Sequence, residues 1–152
     1  MTQVDTERPV DVDALAVQVL QHSRMPPPQL NAIGIVVSDM GESIRFYRLL
    51  GIDVPETPGE GHIHVSLPNG LRLMFDSEET IRSFRPDWTR QTGNQTALAF
   101  ECDSPATVDE IYARVVAAGF RGELEPFDAF WRQRYAQVAD PDGVPVDLYA
   151  TL

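Results

Sequence analysis

A chain of 152 residues, 43% of them hydrophobic, is long enough for one domain with a real core, so disorder is not the default. Twelve basic against twenty-three acidic residues leave a formal charge of −11, a field that repels phosphate backbones and argues against nucleic acid; it favours a cationic ligand or serves solubility alone. No apolar run approaches bilayer length, Met1–Pro9 lacks the basic-then-apolar layout of a secretion signal, and the single Cys102 excludes an intramolecular disulfide. A cytoplasmic protein without a membrane partner is expected.

Residues 1–29 form an appendage. Val12, Leu15, Ala16, Val19 and Leu20 recur at helical spacing, and Pro26-Pro27-Pro28 must stop that helix because proline removes donors. Ala32–Val37 is a β-branched run and reads as a strand. Ser38-Asp39 can cap the next helix, whose apolar positions are Ile44, Phe46, Tyr47, Leu49 and Leu50; Gly51 sits where a helix end needs a left-handed residue. A short strand near Ile52–Pro55 is predicted, then a hairpin of Gly61–Leu67 and Leu71–Asp76 about the Pro68-Asn69-Gly70 turn.

After a linker over 79–94 the order repeats. Thr96–Cys102 is a strand and Ser104-Pro105 opens a helix with Val108, Ile111, Tyr112, Val115 and Val116 as its buried stripe. Gly119 follows it, then strands near Gly122–Glu125 and Arg132–Ala139. The Asp140-Pro141-Asp142-Gly143 turn leads to the last strand, Val144–Tyr149. The expected fold is α+β: two tandem β-α-β-β-β modules, 30–78 and 95–152, plus the N-terminal helix.

Strand side chains alternate in direction, so each strand has two faces. Ile33, Ile35 and Val37 oppose Ala32, Gly34 and Val36; Leu71, Leu73 and Phe75 oppose Arg72, Met74 and Asp76. Leu98, Phe100 and Cys102 oppose Ala97, Ala99 and Glu101, while Val146 and Leu148 oppose Pro145, Asp147 and Tyr149. A second face of small or polar groups on all four strands places water, a ligand or a metal against it, which a plain sandwich core would not tolerate.

The opening Ile33-Gly34-Ile35-Val36-Val37-Ser38-Asp39, with Phe46-Tyr47 and Leu50-Gly51, resembles the start of vicinal-oxygen-chelate proteins. The closing Asp140-Pro141-Asp142-Gly143 with Asp147-Leu148-Tyr149 resembles their end, and Phe130-Trp131-Arg132-Gln133-Arg134-Tyr135 is similar to a glyoxalase-like subgroup. The superfamily includes glyoxalase I, extradiol dioxygenases, epimerases and bleomycin-resistance proteins; the resemblance covers about residues 30–152 and implies that the two modules form a curved half-barrel cavity.

The resemblance implies metal ligands on the first and last strand of each module. Carried here, those positions are Ala32, Met74, Ala97 and Asp147, of which only Asp147 suits a hard or borderline ion. The usual metal site therefore reads as dismantled. His62 and His64 lie two apart on one strand and share a face, so a shifted site of His62, His64 and Asp147 (or Glu101) is the alternative; two partly exposed, hydrogen-bonded histidines at the pocket rim is the plainer one. Arg72 can orient a carboxylate or phosphate, or pair with Asp147 or Glu101. Glu101 or Asp147, if desolvated, can act as general base.

Tyr135, Gln137 and Tyr149 complete the expected ligand-binding set of His62, His64, Arg72, Met74, Glu101, Trp131 and Asp147. Phe84, Trp88, Phe127, Phe130 and Trp131 are aromatics at the cavity mouth or its closed ends, interspersed with Arg85, Arg90, Arg132 and Arg134. Cys102 faces the helices as an inert thiol. The expected function is metal-independent binding of a small molecule, an antibiotic or metabolite, without a cofactor, and the resemblance implies a homodimer. A metal-dependent lyase, isomerase or dioxygenase using one divalent ion is the alternative.

Overall fold

The computed structural model describes residues 9–22, 26–93 and 95–152, with the side chains of 19–22 outside the description. The stretch Met1–Arg8 therefore lies outside the described residues, as do the side chains of Val19 and Leu20 in the expected apolar stripe of the first helix. The chain divides into two units, Met1–Leu30 and Asn31–Leu152. The first contains helix α1 (Val12–His22), begun by Asp11, whose carboxylate accepts from the amides of Asp13 and Ala14.

The second unit holds two modules and two sheets. Module one runs β1 (Ala32–Val37), α2 (Met40–Leu49), β2 (His62–Ser66) and β3 (Arg72–Ser77), with sheet order β1-β3-β2. Module two runs β4 (Leu98–Glu101), α4 (Pro105–Ala117), β5 (Arg121–Asp128), β6 (Gln133–Ala139) and β7 (Pro145–Thr151), with order β4-β7-β6-β5. Each first strand pairs parallel with its module's last, and the remaining pairs are antiparallel. The sheets are curved and neither closes into a barrel.

Local chemistry explains the boundaries. Asp39 caps α2 by accepting from the Glu42 amide, and Ser104 caps α4 ahead of Pro105. Gly51 and Gly119 end the two helices at φ 89° and 93°, a region a β-carbon disfavours. The Pro68-Asn69-Gly70 turn is closed by Gly70 N donating to Leu67 O at 2.9 Å and by Leu71 N donating to the Asn69 side chain at 3.0 Å.

Two expectations need correction. The segment Ile52–Pro55 pairs with no strand, so module one has three strands; Val54 is nonetheless fully buried, and its carbonyl accepts from Arg48 at 2.6 and 3.0 Å. Burial of an apolar anchor and side-chain capture of its carbonyl do the work a ladder would have done. The linker is not structureless: Ser77 caps helix α3 (Glu78–Phe84), which packs on β1 and β3.

The core forms from the odd-numbered faces of module one and the matching faces of module two. Phe46, Tyr47, Phe75, Val37, Val54, Val108, Val115, Val138, Val146 and Leu148 are fully buried, each such burial contributing about 1.5–3 kcal/mol. Phe46 meets Tyr47 and Phe120 edge-on at 5.0 and 5.2 Å, which welds α2 to the end of α4. Cys102 is buried beside Val108, Ala136 and Leu148, and burial pushes its thiol upward.

Candidate functional site

What the core consumes on one side of each sheet it leaves free on the other. Register then decides which open-face residues are neighbours. On the first sheet the cross-strand rows are Ala32–Arg72–Ser66, Gly34–Met74–His64 and Val36–Asp76–His62. On the second they are Ala99–Asp147–Gln137–Leu124 and Glu101–Tyr149–Tyr135–Phe127. Every residue of the expected ligand-binding set except Trp131 lies in one of these five rows.

The first sheet presents a free cation and a histidine pair. Arg72 is half-buried between Ala32 and Ser66, and its guanidinium makes no hydrogen bond or ion pair with a described residue, so it is not the partner of Asp147 or Glu101. His62 is bound through Nδ1 to Asp76 Oδ1 at 2.6 Å, and a carboxylate can only accept, so Nδ1 carries the hydrogen. The His62 and His64 rings lie 5.7 Å apart. Asp76 was missed as a site residue, although strict alternation from Arg72 and Met74 puts it on this face.

The second sheet presents a clamped carboxylate. Asp147 Oδ1 accepts from Tyr135 Oη at 2.7 Å and from Gln137 Nε2 at 2.8 Å, while Oδ2 has no partner among the described residues. Burial, then this hydrogen bond and the Asp147 charge, push the Tyr135 phenol up to about 12, so at neutral pH it stays a donor. Glu101 is exposed on the edge strand and unpaired among the described residues. Tyr135 also touches Phe127 (5.8 Å) and Trp131 (5.4 Å), and Trp131 Nε1 donates to Gln133 Oε1 at 2.9 Å.

The aromatic set separates into two places. Phe127 belongs to β5 rather than to a loop, and with Trp131 and Phe130 it borders the second sheet's open face. Trp88 instead stacks with Arg82 and Arg90, and Phe84 ends α3 exposed. Arg90 is structural: it meets Glu78 at 2.7 Å, Asp142 at 3.5 Å and the Val36 carbonyl at 3.3 Å. Arg134 pairs with Asp109 and Asp128 on the helix side, and neither it nor Arg90 reaches toward the open faces.

The donor set does not fit the metal that the resemblance implies. Ala32 and Ala97 offer no lone pair, Ala97 precedes β4 rather than lying in it, and Met74 lays its methyl 3.6 Å from the place a Gly34 β-carbon would occupy. Among the described residues no three His, Cys, Asp or Glu side chains converge to hold an ion. His62 and His64 lie in the first sheet and Asp147 in the second, with His62 held by Asp76 and Asp147 by Tyr135 and Gln137. The chain also has no lysine, which removes imine chemistry. The open faces offer a guanidinium, a one-sided carboxylate, amide and phenol groups, and an aromatic border. A separate groove of about 270 Å³, lined by Met40, Ile44 and residues 56–60, offers no such set.

Among the described residues no helix is long and apolar enough to cross a membrane. Comparison with curated proteins finds no match. Solved structures share the fold. A glyoxalase/bleomycin resistance protein/dioxygenase family enzyme from Burkholderia phytofirmans PsJN superposes with TM-score 0.72 at 18% identity, over 82% of this chain and 100% of its own. A glyoxalase-related enzyme from Fulvimarina pelagi gives 0.71 at 22%, over 81% and 88%. A glyoxalase/bleomycin resistance protein/dioxygenase from Nocardioides gives 0.67 at 24%, over 93% of both chains. The family model for the Glyoxalase/Bleomycin resistance protein/Dioxygenase superfamily matches residues 29–148, four-fifths of the sequence and both modules: the chain belongs to that superfamily.

Proposed function

We propose that this protein binds and sequesters a small molecule, a metabolite or antibiotic, without a metal ion. The observation that carries this reading is the chemistry at Ala32, Met74, Ala97 and Asp147, where one oxygen ligand stands in place of a full set. Around it, Arg72, Glu101 and Asp147 Oδ2 keep polar capacity uncommitted on faces edged by Trp131 and Phe127, and Ala32, Gly34 and Ala99 keep backbone-level space between them. Such groups orient a ligand and exclude water rather than activate one. The uncovered edge strand β5, with Leu124 and Phe127 exposed, supports a homodimer, and the single Cys102 suits the reducing cytoplasm.

Elemental analysis of protein purified without a His-tag tests the reading, repeated after incubation with Zn²⁺, Ni²⁺, Mn²⁺ and Fe²⁺. Sub-stoichiometric metal throughout, with a thermal shift from a member of an antibiotic and aromatic-acid screen, is expected. Near-stoichiometric metal that disappears in His62→Ala/His64→Ala would overturn it in favour of a metal-dependent lyase, isomerase or dioxygenase. Sedimentation velocity checks the dimer.

A further inference from the structure

The open face of the second sheet carries a corner whose chemistry selects a ligand class. Phe127, Trp131 and Tyr135 meet pairwise at 5.4, 5.8 and 6.3 Å with planes 76–86° apart. Edge-on contact aims the positive rim of one ring at the negative face of the next, and the outward faces stay negative. Phe127 and Trp131 are 39% and 44% exposed, so those faces are open to a ligand. Tyr135 carries the corner directly to Asp147, whose Oδ1 is saturated by two donors while Oδ2 waits for one.

Nothing on this sheet supplies that donor. Arg114, Arg121 and Arg134 are committed to Glu110, Glu123, and Asp109 with Asp128. Arg132, in the turn before β6, pairs with no described carboxylate, and a chain without lysine has no side-chain ammonium of its own. No described arginine donates to Oδ2, so its donor is left to a ligand, and aromatic faces beside a carboxylate favour a cationic one.

We propose that this corner binds the protonated amine of a small organic molecule, its N–H donated to Asp147 Oδ2 and its apolar body laid against Trp131 and Phe127. The assignment rests on the binding reading above and deepens it. Because Oδ2 needs a hydrogen, the site selects primary and secondary amines over quaternary ammonium ions. Tyr135 and Gln137 are positioning residues: they fix Oδ1, and so turn Oδ2 toward the ligand.

Calorimetry on the full chain with four matched probes tests this: 2-phenylethylamine, trimethyl(2-phenylethyl)ammonium, 2-phenylethanol and 3-phenylpropionate. The amine is expected to bind at least about tenfold more tightly than the other three, and Asp147→Asn to weaken it by about tenfold or more. Trp131→Ala, at an exposed position that does not threaten folding, is expected to weaken it severalfold, with melting curves confirming that both variants fold. Equal binding of the alcohol, of the quaternary ion or of the propionate, or an amine affinity indifferent to Asp147→Asn, would overturn the amine site. Binding of 3-phenylpropionate lost in Arg72→Gln, or of a screened compound when all four probes fail, would overturn it and leave small-molecule binding standing. Failure of every probe and every screened compound would remove both.

Discussion

Tyr47 Oη donates a 2.8 Å hydrogen bond to Asp140 Oδ2, joining the helix of module one to the last turn of module two across 93 residues. Asp140 Oδ1 accepts from the amides of Asp142 and Val144 at 2.9 and 2.8 Å, and Asp142 in turn receives the Ser38 amide. The Asp-Pro-Asp-Gly motif is thus a latch between modules, and both partners of its central bond are buried. Tyr47→Phe removes the donor and strands a buried carboxylate oxygen, so it is expected to destabilise the fold by about 1–3 kcal/mol in urea denaturation.

The same latch gives a pH dependence. Burial, above all, raises the Asp140 carboxyl above its usual 3.8, and hydrogen bonds from Val144 and Tyr47 oppose this. Where the unfolded chain has lost the proton and the folded chain has kept it, stability falls as pH rises. Wild-type protein is therefore expected to lose stability relative to Asp140→Asn as pH climbs upward from 3.8, measured by urea denaturation at stepped pH. A difference that grows in favour of wild type over that climb would contradict the assignment.

Tyr135 is expected to titrate late, at about 12, by ultraviolet difference absorbance, and Asp147→Asn to bring it back toward 10. Between those values the unfolded chain gives up this proton and the folded chain holds it. The phenol's contribution to stability therefore declines as pH rises through that window.

Arg72 and Arg90 make a matched contrast. Arg72→Gln removes no contact among the described residues and is expected to change stability by no more than about 0.5 kcal/mol. Arg90→Gln withdraws a cation from Glu78 and from Asp142, whose side chain is 4% exposed, and is expected to cost about 1 kcal/mol or more. Equal losses in chemical denaturation would mean that Arg72 has a structural partner after all.

Gly122 lies where the Tyr112 ring of α4 presses on β5, and an added β-carbon would collide with the Tyr112 hydroxyl and meet Val116 at 3.1 Å. Gly122→Ala is expected to cost about 1–3 kcal/mol by thermal melting. Gly93→Ala meets nothing within 4 Å, and its only penalty is backbone strain at φ 84°; the larger loss at Gly122 identifies packing as the cause.

Much of this was legible in the chain itself. Period-two alternation sorted Arg72, Met74, Glu101, Asp147 and Tyr149 onto the open faces, because pleated backbone sends neighbouring side chains to opposite sides whatever the partner strand. Local chemistry placed the helix starts at Asp39 and Ser104 and their ends at Gly51 and Gly119, for those depend on a few adjacent residues. The Ser77-Glu78-Glu79-Thr80 start of α3 was equally readable, a capping serine followed by first-turn acids.

Partnership was decided only by tertiary structure. Ile52–Pro55 has strand composition and no ladder, since a strand needs an edge and none reaches it. Nothing in the spacing of Arg72, Glu101 and Asp147 tells a closed salt bridge from three uncommitted charges. Register does: it sets Tyr135 and Gln137 beside Asp147, His62 beside Asp76, and Arg72 between an alanine and a serine. Which face a side chain occupies is a property of its own strand, but what it finds there is a property of strands paired from up to 48 residues away.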